Sequence, residues 1–129
     1  MNLGSWNVRG VSRPFKQQEL RSWILKSRLA TAGVLETRVR ASLSPKIIDS
    51  IIPSWQSISN YTHHLNGIIW LLWDPSVVDV LPRLIIDQLI HADVMIIQKQ
   101  IMFSVTFIYG YNCYMQRRYL WASLSLFVS

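Results

Sequence analysis

The residue pattern predicts a layered α/β fold, with two early helices packed on a sheet and a run of strands completing the layers. Three observations carry this. Residues 1–52 alternate strand and helix signals in the order β-α-β-α. Residues 55–109 then show strand-like runs separated by turn dipeptides, where a continued βαβ alternation would instead give a doubly wound parallel sheet. Half of the 129 residues are hydrophobic and only 16% are charged, against roughly 25% charged in ordinary soluble domains. That balance describes a deeply buried sheet or a chain short of a packing partner.

The elements follow in order. Met1 to Val8 reads as a strand ending in a turn at Arg9-Gly10, where glycine permits a positive φ. Ser12-Arg13-Pro14 is a helix entrance, since proline is tolerated in the first turn. Over Gln17 to Leu29 the apolar residues Leu20, Trp23, Ile24 and Leu29 form one buried helix face. Thr31 to Glu36 is a short apolar run, a buried strand. Ser44-Pro45 opens a second helix through Ile47, Ile48, Ile51 and Ile52, and Pro53 closes it. Trp55 to Tyr61 alternates as a strand does. Asn66-Gly67 is a turn before the strand Ile68 to Trp73, and Asp74-Pro75 breaks the chain again. Val77 to Leu81, Gln88 to Gln98 and Ile101 to Tyr109 are further strands, the last two joined as a hairpin at Lys99-Gln100. Tyr114 to Val128 reads as a closing helix.

Composition excludes several classes. The longest uncharged stretch, Ser50 to Trp73, is interrupted by Pro53, Gln56, Asn60, His63, His64 and Asn66, whereas a spanning helix needs about 20 consecutive apolar residues. No basic segment followed by an apolar run marks a signal peptide. The single cysteine, Cys113, can form neither an internal disulfide nor a zinc site alone, so a reducing compartment is expected. The net charge of +6 is unevenly placed. Residues 1–46 carry nine Lys/Arg against Glu19 and Glu36, and the remainder four basic against five acidic groups. A basic N-terminal third favours a polyanion through phosphate neutralisation.

The glycine-rich phosphate loops, the Gly-x-Ser-x-Gly nucleophile elbow and the His-x-x-x-His metal pair are all missing. What remains is polar residues at strand ends, where functional groups gather in layered α/β folds. Asn7 ends the first strand and Glu36 the second, and two strands joined by one helix are commonly neighbours. A lone carboxylate with neutral oxygen donors suits Mg²⁺, which keeps several waters and borrows substrate phosphate oxygens. Tyr109 closes the last strong strand and can add a hydroxyl to the same edge. Each also has an ordinary structural reading: Asn7 as a turn residue, Glu36 as the partner of Arg38 or Arg40, Tyr109 as a strand aromatic. His63 and His64 read as surface residues and His91 as a partly buried structural one.

Taken together, Ser5-Trp6-Asn7-Val8-Arg9-Gly10 followed by Leu35-Glu36-Thr37-Arg38 resembles the exonuclease–endonuclease–phosphatase superfamily, most closely the endonuclease domain of plant LINE-type retrotransposons. The resemblance continues in order through Ile52-Pro53-Ser54-Trp55, Ser59-Asn60-Tyr61, Asn66-Gly67 with Trp70, Trp73-Asp74-Pro75 and Asp87-Gln88-Leu89-Ile90-His91. It ends in Phe107-Ile108-Tyr109-Gly110-Tyr111-Asn112 and Arg117-Arg118 with Leu120-Trp121. It implies a DNase I-like layered α/β sandwich, two sheets with helices outside. Residues 1–129 would be the N-terminal half of that domain. It implies Asn7 at the scissile phosphate and metal, Glu36 as principal Mg²⁺ or Mn²⁺ ligand, and Tyr109 as a phosphate contact. DNA is the implied partner, met by Arg9, Arg13, Arg38 and Arg40, and the implied location is intracellular, nuclear if the family role is retained.

The departures matter as much. The family's Asp-x-Asn and Asp-His motifs, which orient the attacking water and neutralise the transition state, occur nowhere in these residues. Loss of such groups typically costs ~10²–10⁴-fold each, so the expectation is a fragment with little or no nuclease activity. Ile68-Ile69 stands where relatives carry a basic residue. Half of a two-sheet sandwich would leave an inner sheet face uncovered, a surface prone to self-association.

Overall fold

The computed structural model describes residues 2–62 and 68–109. The elements run β1 (Asn2–Asn7), α1 (Pro14–Lys26), β2 (Leu29–Leu35), α2 (Ser44–Ile51), β3 (Gln56–Ser59), β4 (Ile69–Trp73), β5 (Val78–Ile85), β6 (Leu89–Ile96) and β7 (Ile101–Ile108). The order is the expected one. The Asn66-Gly67 turn, His63, His64 and the closing helix over Tyr114 to Val128 fall outside the described residues.

The strands form two sheets. The larger has the order β1-β2-β4-β3 and the smaller β5-β6-β7. β1 and β2 pair in parallel, as a strand–helix–strand unit requires, and every other pairing is antiparallel. α1 and α2 cover one face of the larger sheet, and the smaller sheet covers the other. β4 shows the consequence. All five of its residues are buried; Trp70 and Leu72 join the helix-side core, while Ile69, Leu71 and Trp73 join the core between the sheets. Alternation at period two places them so. A strand buried on both faces needs an unbroken apolar run, which accounts for the hydrophobic composition.

Two boundaries differ from expectation. α1 stops at Lys26 rather than Leu29. Ser27 caps it, Arg28 turns the chain at φ 53°, and Leu29 leaves the helix to pair with Asn2 in the sheet. β5 runs on to Ile85 through Pro82, beyond the expected end at Leu81. It is an edge strand, and its register shifts between Pro82 and Leu84, the setting in which a strand tolerates proline.

The sequence predicts an uncovered inner sheet face. The described strands instead cover it, with β7 over β2 and β6 over β4. Contact is closest at Gly33 of β2, where a side-chain carbon would fall inside the ring of Phe107. Towards β1 a groove of ≈ 280 Å³ remains, lined by Leu3, Gly4 and Ser5 on one side and Val105 to Ile108 on the other.

One buried amide fastens the sheets together. Asn60, fully buried, accepts from the Ile68 and Ile69 N–H groups at 3.2 and 3.0 Å and donates to the Ile86 and Asp87 carbonyls at 3.3 and 3.1 Å. Four hydrogen bonds satisfy the whole carboxamide, and they join β4 to the β5–β6 turn.

Candidate functional site

The connections that leave β1 and β2 stay paired after the strands end. Val8 N–H donates to the Leu35 carbonyl at 3.0 Å, Gly10 to Glu36 at 2.8 Å and Val11 to Thr37 at 3.0 Å. Asn7 and Glu36 are thereby held beside each other, as adjacent parallel strand ends require. Glu36 also donates its own N–H to the Ile68 carbonyl. From the other sheet, Tyr109 N–H donates to the Gln88 carbonyl at 2.8 Å, which places Tyr109 over the same edge.

These residues meet in one cleft of ≈ 450 Å³, whose walls include Asn7, Arg9, Glu36, Arg38 and Tyr109. Tyr109 donates its hydroxyl hydrogen to Glu36 Oε1 at 3.0 Å. Arg38 Nη2 donates to Glu36 Oε2 at 2.8 Å. Asn7 Oδ1 accepts from the Arg9 N–H at 3.2 Å. Burial, reinforced by the hydrogen bond to Glu36 and its negative charge, pushes the Tyr109 hydroxyl above its ordinary pKa of 10, against a smaller opposing pull from Arg38. Tyr109 is therefore a proton donor throughout the neutral range. Among the described residues no three His, Cys, Asp or Glu side chains gather into a cluster, so Glu36 supplies the cleft's carboxylate alone.

The backbone around the cleft is strained. Arg9, Glu36 and Arg38 adopt φ of 52°, 59° and 54°, a region that costs a non-glycine residue on the order of 1 kcal/mol or more. These turns bring the Arg9, Glu36 and Arg38 side chains into one cleft. Tyr61 supports them from behind: its hydroxyl donates to the Val39 carbonyl at 2.7 Å and accepts from Trp70 Nε1 at 3.0 Å. Trp6, the other half of the Trp-Asn pair, faces the helix layer, where it meets Trp23 edge-on at 5.5 Å and lies under Lys16 Nζ at 5.2 Å.

Of the expected residues, Asn7, Glu36, Tyr109, Arg9 and Arg38 come together. Arg13 lines an adjoining cleft. Arg40 is exposed and lines neither; its carbonyl accepts from Leu43 and Ser44 ahead of α2. Sequence reasoning assigned no role to Asn60, Tyr61, Phe15 or Lys16. The Ser59-Asn60-Tyr61 motif was the available signal for the first two, since an asparagine between two strands asks for a buried partner.

No protein-family model and no curated protein sequence matches the chain. Among solved structures, it is similar to the human Nocturnin catalytic domain with bound sulfate anion, at a TM-score of 0.53 and 12% identity, over 78% of this chain and 47% of that one. At that identity the likeness shows the fold alone, a mixed α/β sandwich of the DNase I-like type. The chain spans about half the length of that solved domain.

Proposed function

We propose that the Asn7–Glu36–Tyr109 cleft is the first half of a metal-dependent phosphodiesterase site of the LINE endonuclease type, and that these 129 residues bind DNA without cleaving it. The observation that carries the reading is the 3.0 Å contact between Tyr109 and Glu36, which joins the two sheets at the open edge where Asn7 also ends its strand.

The donor set fits a hard, mostly hydrated cation. Glu36 and the Asn7 carbonyl oxygen would hold it, leaving the other positions to water and to the substrate's phosphate. Mg²⁺ or Mn²⁺ bound there would supply polarisation of the phosphoryl oxygen and stabilisation of the leaving alkoxide. The chain's own residues do the rest of the binding. Arg9 and Arg38 neutralise the incoming phosphate, Tyr109 turns its one hydroxyl hydrogen from Glu36 to a non-bridging oxygen, and Asn7 offers its amide hydrogens. None of the described carboxylates other than Glu36 lines this cleft to activate a water, and the sequence carries no Asp-x-Asn or Asp-His pair to do so. Binding without hydrolysis follows.

The test is Mg²⁺-dependent nicking of supercoiled DNA, run beside DNA binding with and without Mg²⁺, for the wild type and Glu36→Ala. We expect no nicking, and a Mg²⁺-dependent gain in binding that Glu36→Ala abolishes. Nicking that disappears in Glu36→Ala would sink the claim of inactivity. Binding that ignores both Mg²⁺ and Glu36 would sink the site itself. A purely electrostatic nucleic-acid-binding role is the second reading, favoured by the basic walls of the two clefts; it requires affinity to fall steeply with salt.

A further inference from the structure

Beside the Glu36 cleft lies a second one of ≈ 570 Å³, whose walls include Arg9, Arg13, Phe15, Lys16, Glu19 and Arg38. Arg9 and Arg38 wall both clefts, so the second continues the first along the surface. Its most unusual member is Phe15. The ring is 72% exposed, more than any other large hydrophobic among the described residues. Phe15 sits in the first turn of α1, whose core-facing residues are Leu20 and Ile24, and the helix-side core does not include it.

Its neighbours are cations. Arg9 and Arg13 form no ion pair among the described residues. Lys16 is held in the wall between Glu19, at 3.5 Å, and the face of Trp6, at 5.2 Å. Gly10 at φ 100° brings the backbone to within 3.5 Å of the Arg38 side-chain stem, measured from where a Cβ would stand. The result is one bare aromatic face in a basic channel that leads to the half-site. Aromatic rings in basic grooves stack successive bases of single strands, each stacked base adding about 1–3 kcal/mol while the cations neutralise phosphates. Paired bases inside a duplex do not offer their faces to such a ring.

We propose that this second cleft is a subsite for single-stranded nucleic acid, in which Phe15 stacks an unpaired base while Arg9, Arg13 and Arg38 hold the phosphates leading to Glu36. The proposal rests on the reading of the Glu36 cleft as a phosphodiester site, and it adds a preference for unpaired over duplex substrate.

Fluorescence anisotropy on the 129-residue chain tests it, with labelled oligodeoxythymidylate as the single strand and a blunt-ended mixed-sequence duplex as the paired probe. Phe15→Ala should weaken single-strand binding about tenfold, leave duplex binding within about twofold, and leave the salt dependence unchanged because no charge is lost. Phe15→Tyr should retain wild-type binding. Arg13→Ala should weaken both probes and lower the salt slope by about one. Circular dichroism of each variant checks folding, which an exposed side chain should not disturb. Wild-type single-strand affinity in a folded Phe15→Ala, or equal losses on both probes, overturns the proposal even if the Glu36-dependent Mg²⁺ effect is intact. If Phe15→Ala acts as expected but the Mg²⁺ effect is missing, the strand subsite stands and the phosphodiester reading falls.

Discussion

Tyr109 shows how one side chain registers the state of the whole cleft. Its hydroxyl is pushed above its ordinary pKa by burial first and then by Glu36. The sign of the linkage follows. A hydroxyl with a raised folded-state pKa binds its proton more tightly in the native protein, so its contribution to stability is complete below pH 10. It is lost as pH climbs through the raised value. Absorbance titration of the phenolates should therefore show a step above pH 10 that is absent in Tyr109→Phe. In Glu36→Gln the same step should move back towards 10, because the carboxylate's charge no longer opposes the phenolate. A late step that persists in Tyr109→Phe would assign it to another tyrosine and remove this support for the cleft geometry.

The elements are legible in the sequence to different depths. β4 announces itself by an apolar run between turn dipeptides, and α2 by isoleucines at helical spacing. α1 was overextended because Leu29 satisfies two patterns at once, the last helical contact and the first strand residue, and tertiary pairing with Asn2 decides between them. β5 was cut short because Pro82 normally ends a strand, and only its edge position with a register shift lets the chain run on. The division into two sheets is not legible in the apolar pattern, which says which face is buried and not against what; it enters only with the family resemblance. Gly33 is the residue on which that division turns. Its missing side chain lets Phe107 of the smaller sheet settle on β2. Gly33→Ala should destabilise the fold by roughly 1–3 kcal/mol, the usual cost of overpacking. Combining it with Phe107→Leu should cost less than the sum of the two single changes, as measured by urea unfolding. Strict additivity would mean that the two residues do not meet.

At the scale of the molecule, the site depends on the fastening between the sheets. Ile68 accepts the Glu36 N–H at its carbonyl and gives its own N–H to Asn60; Asn60 donates to Asp87, and the next residue, Gln88, accepts from Tyr109. The Asn60 carboxamide thus lies midway along a chain of hydrogen bonds between Glu36 and Tyr109. Asn60→Ala would strand up to four buried N–H and carbonyl groups, and at about 1–3 kcal/mol each we expect a loss of roughly 4 kcal/mol or more in urea unfolding. In whatever fraction stays folded, the late phenolate step of Tyr109 should drift towards 10 as its distance from Glu36 relaxes. An unchanged step would show that Tyr109 is positioned without Asn60. The sequence brought Asn7, Glu36 and Tyr109 within reach because strand ends are visible in it. It offered no view of Asn60's carbonyl partners, 26 and 27 residues away, or of the second cleft, which local residues from Arg9 to Glu19 form only once Arg38 is folded against them.

That separation also governs when the cleft can exist. Tyr109 and Glu36 are 73 residues apart along the chain, so their contact closes a long loop, and such contacts are reached slowly and late. Local pieces such as α1 or the β6–β7 hairpin can appear early with no cleft present. During refolding, the signal from Tyr109 should lag behind the recovery of secondary structure, making this hydrogen bond a clock for the last event in assembly.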